Sequence, residues 1–224
     1  MAKIGIEWVK NYHGRYANLS NTKTQAERFY SLLPGTRSFN WGNDLAWDQD
    51  FEESGVGSPS TGTDSVWIDS VHIAFFSGHG GPNGPLFGVT NFDDGEAHHT
   101  EIRWGNRTLN WIAFDACEIL RSNGVFDRWR DTLQGLHIIL GFHSTTSDEA
   151  YRGLYFAFYL ILGYTLIDAW KKACILTEGS NTQWAYLRAG GGAGVNTYLD
   201  HWHGRGWVSP DPTNSWRAYS KGSC

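Results

Sequence analysis

The chain has 224 residues, a formal net charge of -5, and 41% hydrophobic against 18% charged residues. Its 12 Trp, 10 Tyr and 12 Phe supply a large core and exclude global disorder. No run of Lys or Arg provides the electrostatic footprint for nucleic acid or an anionic membrane, so neither is expected as a partner.

The length fits a single α/β domain. Residues 1–8 carry Lys3 and Glu7 and lack the apolar stretch of a secretory signal. The three cysteines, Cys117, Cys174 and Cys224, are odd in number and contain no Cys-x-x-Cys. These features point to a cytoplasmic, reducing compartment without a disulfide framework or structural zinc.

In chain order, residues 4–9 read as a strand. Thr22 then caps a helix over 23–33, with Ala26, Phe29, Tyr30 and Leu33 at helical spacing and Pro34-Gly35 as its stop. Residues 52–64 form a polar loop. Residues 71–76 are a continuous β-prone run that ends in Ser77-Gly78-His79-Gly80, and 109–114 are a second run ending in Asp115-Ala116-Cys117. A helix over 125–133 precedes a third run, 136–142, which ends in His143. Helices follow over 148–162 and 165–176, broken at Gly163. The apolar run at 154–162 is about half of the ~20 residues that a membrane span needs. Continuous hydrophobicity marks strands covered on both faces, so the expected architecture is a mostly parallel central sheet of about five or six strands with helices on both faces. The core spans about 1–177, and 178–224, with weak periodicity and a glycine cluster at 190–194, is an extension acting as a lid or a continuation of the sheet.

Ligands of open parallel sheets bind beyond the carboxyl ends of the strands. Two such ends carry His79 and Cys117, a base and a nucleophile. A neighbouring imidazole takes the proton of a thiol that otherwise titrates near 8.5, and the amides of Gly80 and Cys117 are candidates for an oxyanion hole.

These two blocks, Ile73-Ala74-Phe75-Phe76-Ser77-Gly78-His79-Gly80 and Trp111-Ile112-Ala113-Phe114-Asp115-Ala116-Cys117, resemble the caspase-like cysteine peptidases of clan CD. More closely, the chain resembles a bacterial group of caspase-like proteins of uncharacterised function. The resemblance covers roughly residues 4–176 and implies a caspase-like three-layer sandwich. It implies His79 as the catalytic histidine, Cys117 as the nucleophile, and Gly80 with Cys117 as oxyanion donors. Asp115 matches the acidic S1 position of metacaspases and legumains, which points to a basic P1 residue. His143 and Asp148, with Glu149, lie on the loop that shapes substrate binding in the clan. Cys117 is followed by Glu118-Ile119-Leu120, a departure from the small polar residue or glycine usual in the clan, which sets the Glu118 carboxylate beside the site. The expected activity is hydrolysis of a peptide or small amide or ester through a thioester, with no cofactor.

Two rivals use the same residues: an acyl-transferring or amide-forming enzyme, and a silent module that binds a partner. Trp41, Trp47, Trp104, Trp111 and Trp129 are candidates to line an apolar cleft. Asp93-Asp94 with His98-His99, and Asp200-His201-Trp202-His203, are metal-capable but are read as loop residues, so no metal is expected.

Overall fold

In the computed structural model, which describes residues 1–57, 59, 61–90 and 93–224, the three apolar runs form the middle of a seven-stranded sheet. They become β3 (Ile73–Ser77), β6 (Trp111–Asp115) and β7 (Ile138–Phe142), and every residue in them is buried. Sequence order also includes β1 (Lys3–Trp8), α1 (Thr22–Leu32), β2 (Thr36–Gly42), β4 (Gly80–Gly81), β5 (Gly84–Pro85), α2 (Val125–Arg128), α3 (Arg152–Ile161), α4 (Leu166–Thr177), β8 (Gln183–Gly190) and β9 (Trp216–Ser223). The sheet runs β2-β1-β3-β6-β7-β8-β9. The first five strands are parallel, and β8 and β9 add antiparallel to β7 and to each other. Residues 178–224 therefore continue the sheet. β4 and β5 pair as a separate two-stranded ribbon just beyond β3.

Alternate side chains of the central strands enter two apolar layers. Ile4, Ile73, Phe75 and Trp111 face α1, α3 and α4. There Phe29 of α1 stacks on Phe75 at 4.8 Å and on Phe156 of α3 at 5.5 Å. Phe76, Ile112 and Phe114 face the other layer with Phe51, Trp104 and Trp129. That second face departs from the expected helices on both sides: loops, three-residue 3-10 turns and the four-residue α2 cover it.

The expected helix over 125–133 stops early because tertiary hydrogen bonds compete for its backbone. Trp104 N–H donates to Thr132 O at 2.7 Å and Gln134 N–H to Trp104 O at 2.8 Å, so a strand-like bridge replaces the last helical turns. The helix expected from 148 starts at Arg152, since the Asp148 carboxylate accepts from the backbone N–H groups of Ser20 and Asn21 at the entry to α1. Cys174 is buried, Cys224 is half-buried, and all three thiols are free. Among the described residues no helix is long and apolar enough to cross a membrane.

Candidate active site

β3 and β6 are neighbours in register, with Ser77 paired to Asp115, so the residues just past each strand emerge side by side. His79 and Cys117 both line one pocket of about 60 Å³, with Gln25, Asp115, Thr146 and Asp148 among the other lining residues. The close approach of the two strand ends depends on a glycine. A Cβ at Gly80 would meet Ile119 Cδ1 at 2.7 Å, Ala116 Cβ at 2.9 Å and Cys117 O at 3.2 Å. The chain turns sharply after the thiol, where Glu118 has φ 57°.

The imidazole is fixed from two sides. His79 Nε2 bonds Ala17 O at 2.8 Å, which requires the proton on Nε2 and leaves Nδ1 as the free base. Its backbone N–H donates to the Tyr12 hydroxyl at 2.6 Å, and the Tyr12 ring packs 4.6 Å from the imidazole. Cys117 Sγ is held by Thr146: it receives the Thr146 N–H at 3.4 Å and lies 3.7 Å from Thr146 O. No hydrogen bond joins Cys117 to His79 among the described residues. Burial pushes the Cys117 thiol up, and the Asp115, Glu118 and Glu178 carboxylates add to this against the Thr146 amide.

Beneath the thiol lies a buried ion network. Arg152, the first residue of α3, is fully buried and pairs through Nη1 with Asp115 and through Nη2 with Glu178. Asp115 Oδ2 has no hydrogen-bond partner. Burial raises the Asp115 carboxyl to about 6, against the pull of Arg152. Glu178 also accepts from Thr146 Oγ1 at 2.8 Å, Ser147 N–H at 2.9 Å and Ser147 Oγ at 2.6 Å. Burial opposes its charged form, but Ser147, Arg152 and Thr146 together hold its carboxyl below the ordinary value. A continuous chain of contacts thus links Asp115, Arg152, Glu178 and Thr146 to the thiol.

Of the residues singled out in the sequence, the structure brings His79, Cys117, Asp115 and Asp148 together in this pocket, with Gly80 packed on the Cys117 turn. Glu118 and His143 do not line it. Glu118 points to Arg121 at 3.4 Å. His143 Nδ1 accepts from Ser122 N–H at 3.0 Å and lies 3.2 Å from the Tyr219 hydroxyl, while its Nε2 lies 2.9 Å from Lys221 Nζ.

The tryptophans also lie elsewhere. Trp104, Trp111 and Trp129 are core residues, and Trp41 and Trp47 line a separate pocket of about 170 Å³. The metal-capable pairs do not converge as written. His98 and His99 pack on each other at 4.3 Å, and Asp200 binds Trp111, His137 and Ser209. Asp93 alone joins a convergent group, with Asp48 and Glu52. Sequence reasoning missed Tyr12, Ala17, Arg152 and Glu178. The one available signal was a lone arginine opening a strongly apolar helix.

No curated protein matches the chain. A family model matches residues 6–221, nearly the whole sheet and both strand ends, and the chain belongs to that family, described as a domain of unknown function, DUF6345.

Proposed function

We propose that this chain is a caspase-like cysteine hydrolase acting on a peptide or small amide. The observation that carries the reading is the meeting of His79 and Cys117, from the carboxyl ends of adjacent parallel strands, in one pocket. The orientation of the imidazole by Ala17 O adds to it. In the reaction, His79 Nδ1 takes the thiol proton and Cys117 Sγ attacks the carbonyl carbon. The resulting oxyanion is held by the amide N–H groups of Gly80 and Cys117. His79 then protonates the leaving amine, and water, deprotonated by the same imidazole, resolves the thioester.

Two carboxylates, Asp115 and Asp148, line the pocket, while Arg152 stands behind Asp115 and does not line it. This favours a basic P1 side chain by attraction and hydrogen bonding. A second reading, a silent binding module, draws on the resting thiol: it is pushed up by burial and bonded to Thr146 rather than to His79.

Peptidyl acyloxymethyl ketones with varied P1 residues separate the two readings. Arg or Lys at P1 labels Cys117 at neutral pH, and His79→Ala slows this labelling by about 100-fold or more, the usual size of a general-base contribution. Iodoacetamide, which has no P1 group to occupy the pocket, reacts slowly at pH 7 and faster through the alkaline range, because the resting thiol is raised. Failure of every P1 variant to label Cys117, with iodoacetamide rates equal in wild type and His79→Ala, rejects the hydrolase and leaves the binding module.

A further inference from the structure

On the face of the sheet opposite α1, α3 and α4, we propose that Asp48, Glu52 and Asp93 form a calcium site that ties the segment after β2 to the segment after β5. One carboxylate oxygen from each residue lies within 4.8 Å of the other two. Oxygens bound to one calcium ion at about 2.4 Å are at most about 4.8 Å apart, so a single ion reaches all three.

Proximity of acidic groups alone does not make a site, but two of these carry unmet valence. Glu52 is 1% exposed and its Oε1 has no hydrogen-bond partner, although its carboxyl group converges on two other carboxylates. Asp93 Oδ2 is likewise buried and unpartnered, while its Oδ1 accepts the Asp94 N–H at 2.7 Å. Asp48 is fixed in advance. Its Oδ2 takes the Gly95 N–H at 2.6 Å and its Oδ1 the Gln49 N–H at 3.0 Å, leaving lone pairs free for a metal.

No Lys or Arg among the described residues pairs with any of the three. Arg15, packed on the same loop, gives its guanidinium to the carbonyls of Phe87 and Asp94 instead. Without a cation, burial and then the charges of Asp48, Glu101, Asp93 and Asp94 push Glu52 up to about 9, and burial takes Asp48 to about 6. Three protein carboxylates from two segments suit calcium, which accepts flexible all-oxygen shells. Magnesium is held by one or two carboxylates and keeps its waters.

The experiment uses the full chain stripped with EDTA and titrated with calcium chloride or magnesium chloride, read by calorimetry and thermal unfolding. No catalytic assay enters, so the result is independent of the thiol chemistry proposed above. Calcium binds at one ion per chain and raises Tm by about 5–10 °C at about 100 times Kd, and magnesium binds more weakly. Glu52→Gln keeps the shape of the protonated side chain and weakens calcium binding by about tenfold or more. Asp93→Asn does the same and stands in if Glu52→Gln fails to fold by circular dichroism. Absence of heat and of a Tm change up to about 10 mM calcium overturns the site. So does calcium binding of unchanged affinity in folded Glu52→Gln or Asp93→Asn, which places the ion elsewhere on the chain.

Discussion

Two buried networks of charged and polar side chains sit at opposite ends of the same sheet. At the amino ends of β6 and β7, His137 Nδ1 meets Asp200 Oδ2 at 2.6 Å, a pairing that in isolation looks like an acid–base dyad. Both side chains are fully buried, and Asp200 also takes the Trp111 indole N–H at 2.8 Å and the Ser209 N–H at 2.7 Å. Both carboxylate oxygens of Asp200 and both ring nitrogens of His137 have partners, and the two side chains are buried, so this network serves as a structural joint between the sheet and the 197–211 segment. At the carboxyl ends, Asp115 shares Arg152 with Glu178 but keeps Oδ2 unpartnered and lines a pocket next to a thiol. The residue types are similar, and chemical capacity follows from incomplete saturation and from access.

The largest test of this contrast is Arg152→Met. It leaves two carboxylates beneath the pocket without their cation, and breaking a buried pair in this way costs about 3–5 kcal/mol, measured by urea unfolding. Because Glu178 also anchors Thr146 and Ser147, their loop loosens from Sγ, and iodoacetamide modifies Cys117 faster than in wild type at urea concentrations well below unfolding. Lower stability with an unchanged rate breaks the link between the network and the thiol. Asp200→Asn acts at the other end. It replaces one acceptor oxygen with a donor facing donors, at about 1–3 kcal/mol by the same measurement. The Cys117 alkylation rate stays at the wild-type value. A changed rate means that the two ends are coupled and the contrast fails.

Much of this architecture was legible because the central strands are buried on both faces, so β3, β6 and β7 stand in the sequence as unbroken apolar runs ending in His79, Cys117 and His143. The pocket pair needed only those strand ends. Its supports did not show, because Tyr12, Ala17, Arg152 and Glu178 arrive from distant loops and helix ends, and their roles arise only from packing. Among the outer strands, β1 was legible as residues 4–9 in spite of Gly5, but β2, β8 and β9 were illegible for a different reason. There glycines replace apolar residues within strands, which reads as loop, and an aromatic ring from the neighbouring strand covers each gap. Gly5 lies under Phe39 and Gly42 under Trp8 on the β1–β2 side, and Gly190 lies under Trp216 and Gly222 under Trp184 on the β8–β9 side.

This edge device yields the smallest expected effect. Trp184 pairs directly with Gly222, its indole stacks on Tyr186 at an interplanar angle of 2°, and its Nε1 donates to Ser223 O at 3.0 Å. A Cβ at position 222 would strike the indole, so Gly222→Ala has to turn the ring away, at a cost of about 1 kcal/mol for an overpacked contact. The strand itself remains, since β9 keeps its pairing with β8. Trp184→Ala then removes the clash, so the two changes together cost less than their sum. A double-mutant cycle in urea measures that coupling. Strict additivity means that the ring does not cover the glycine, and the edge strands are held by backbone pairing alone.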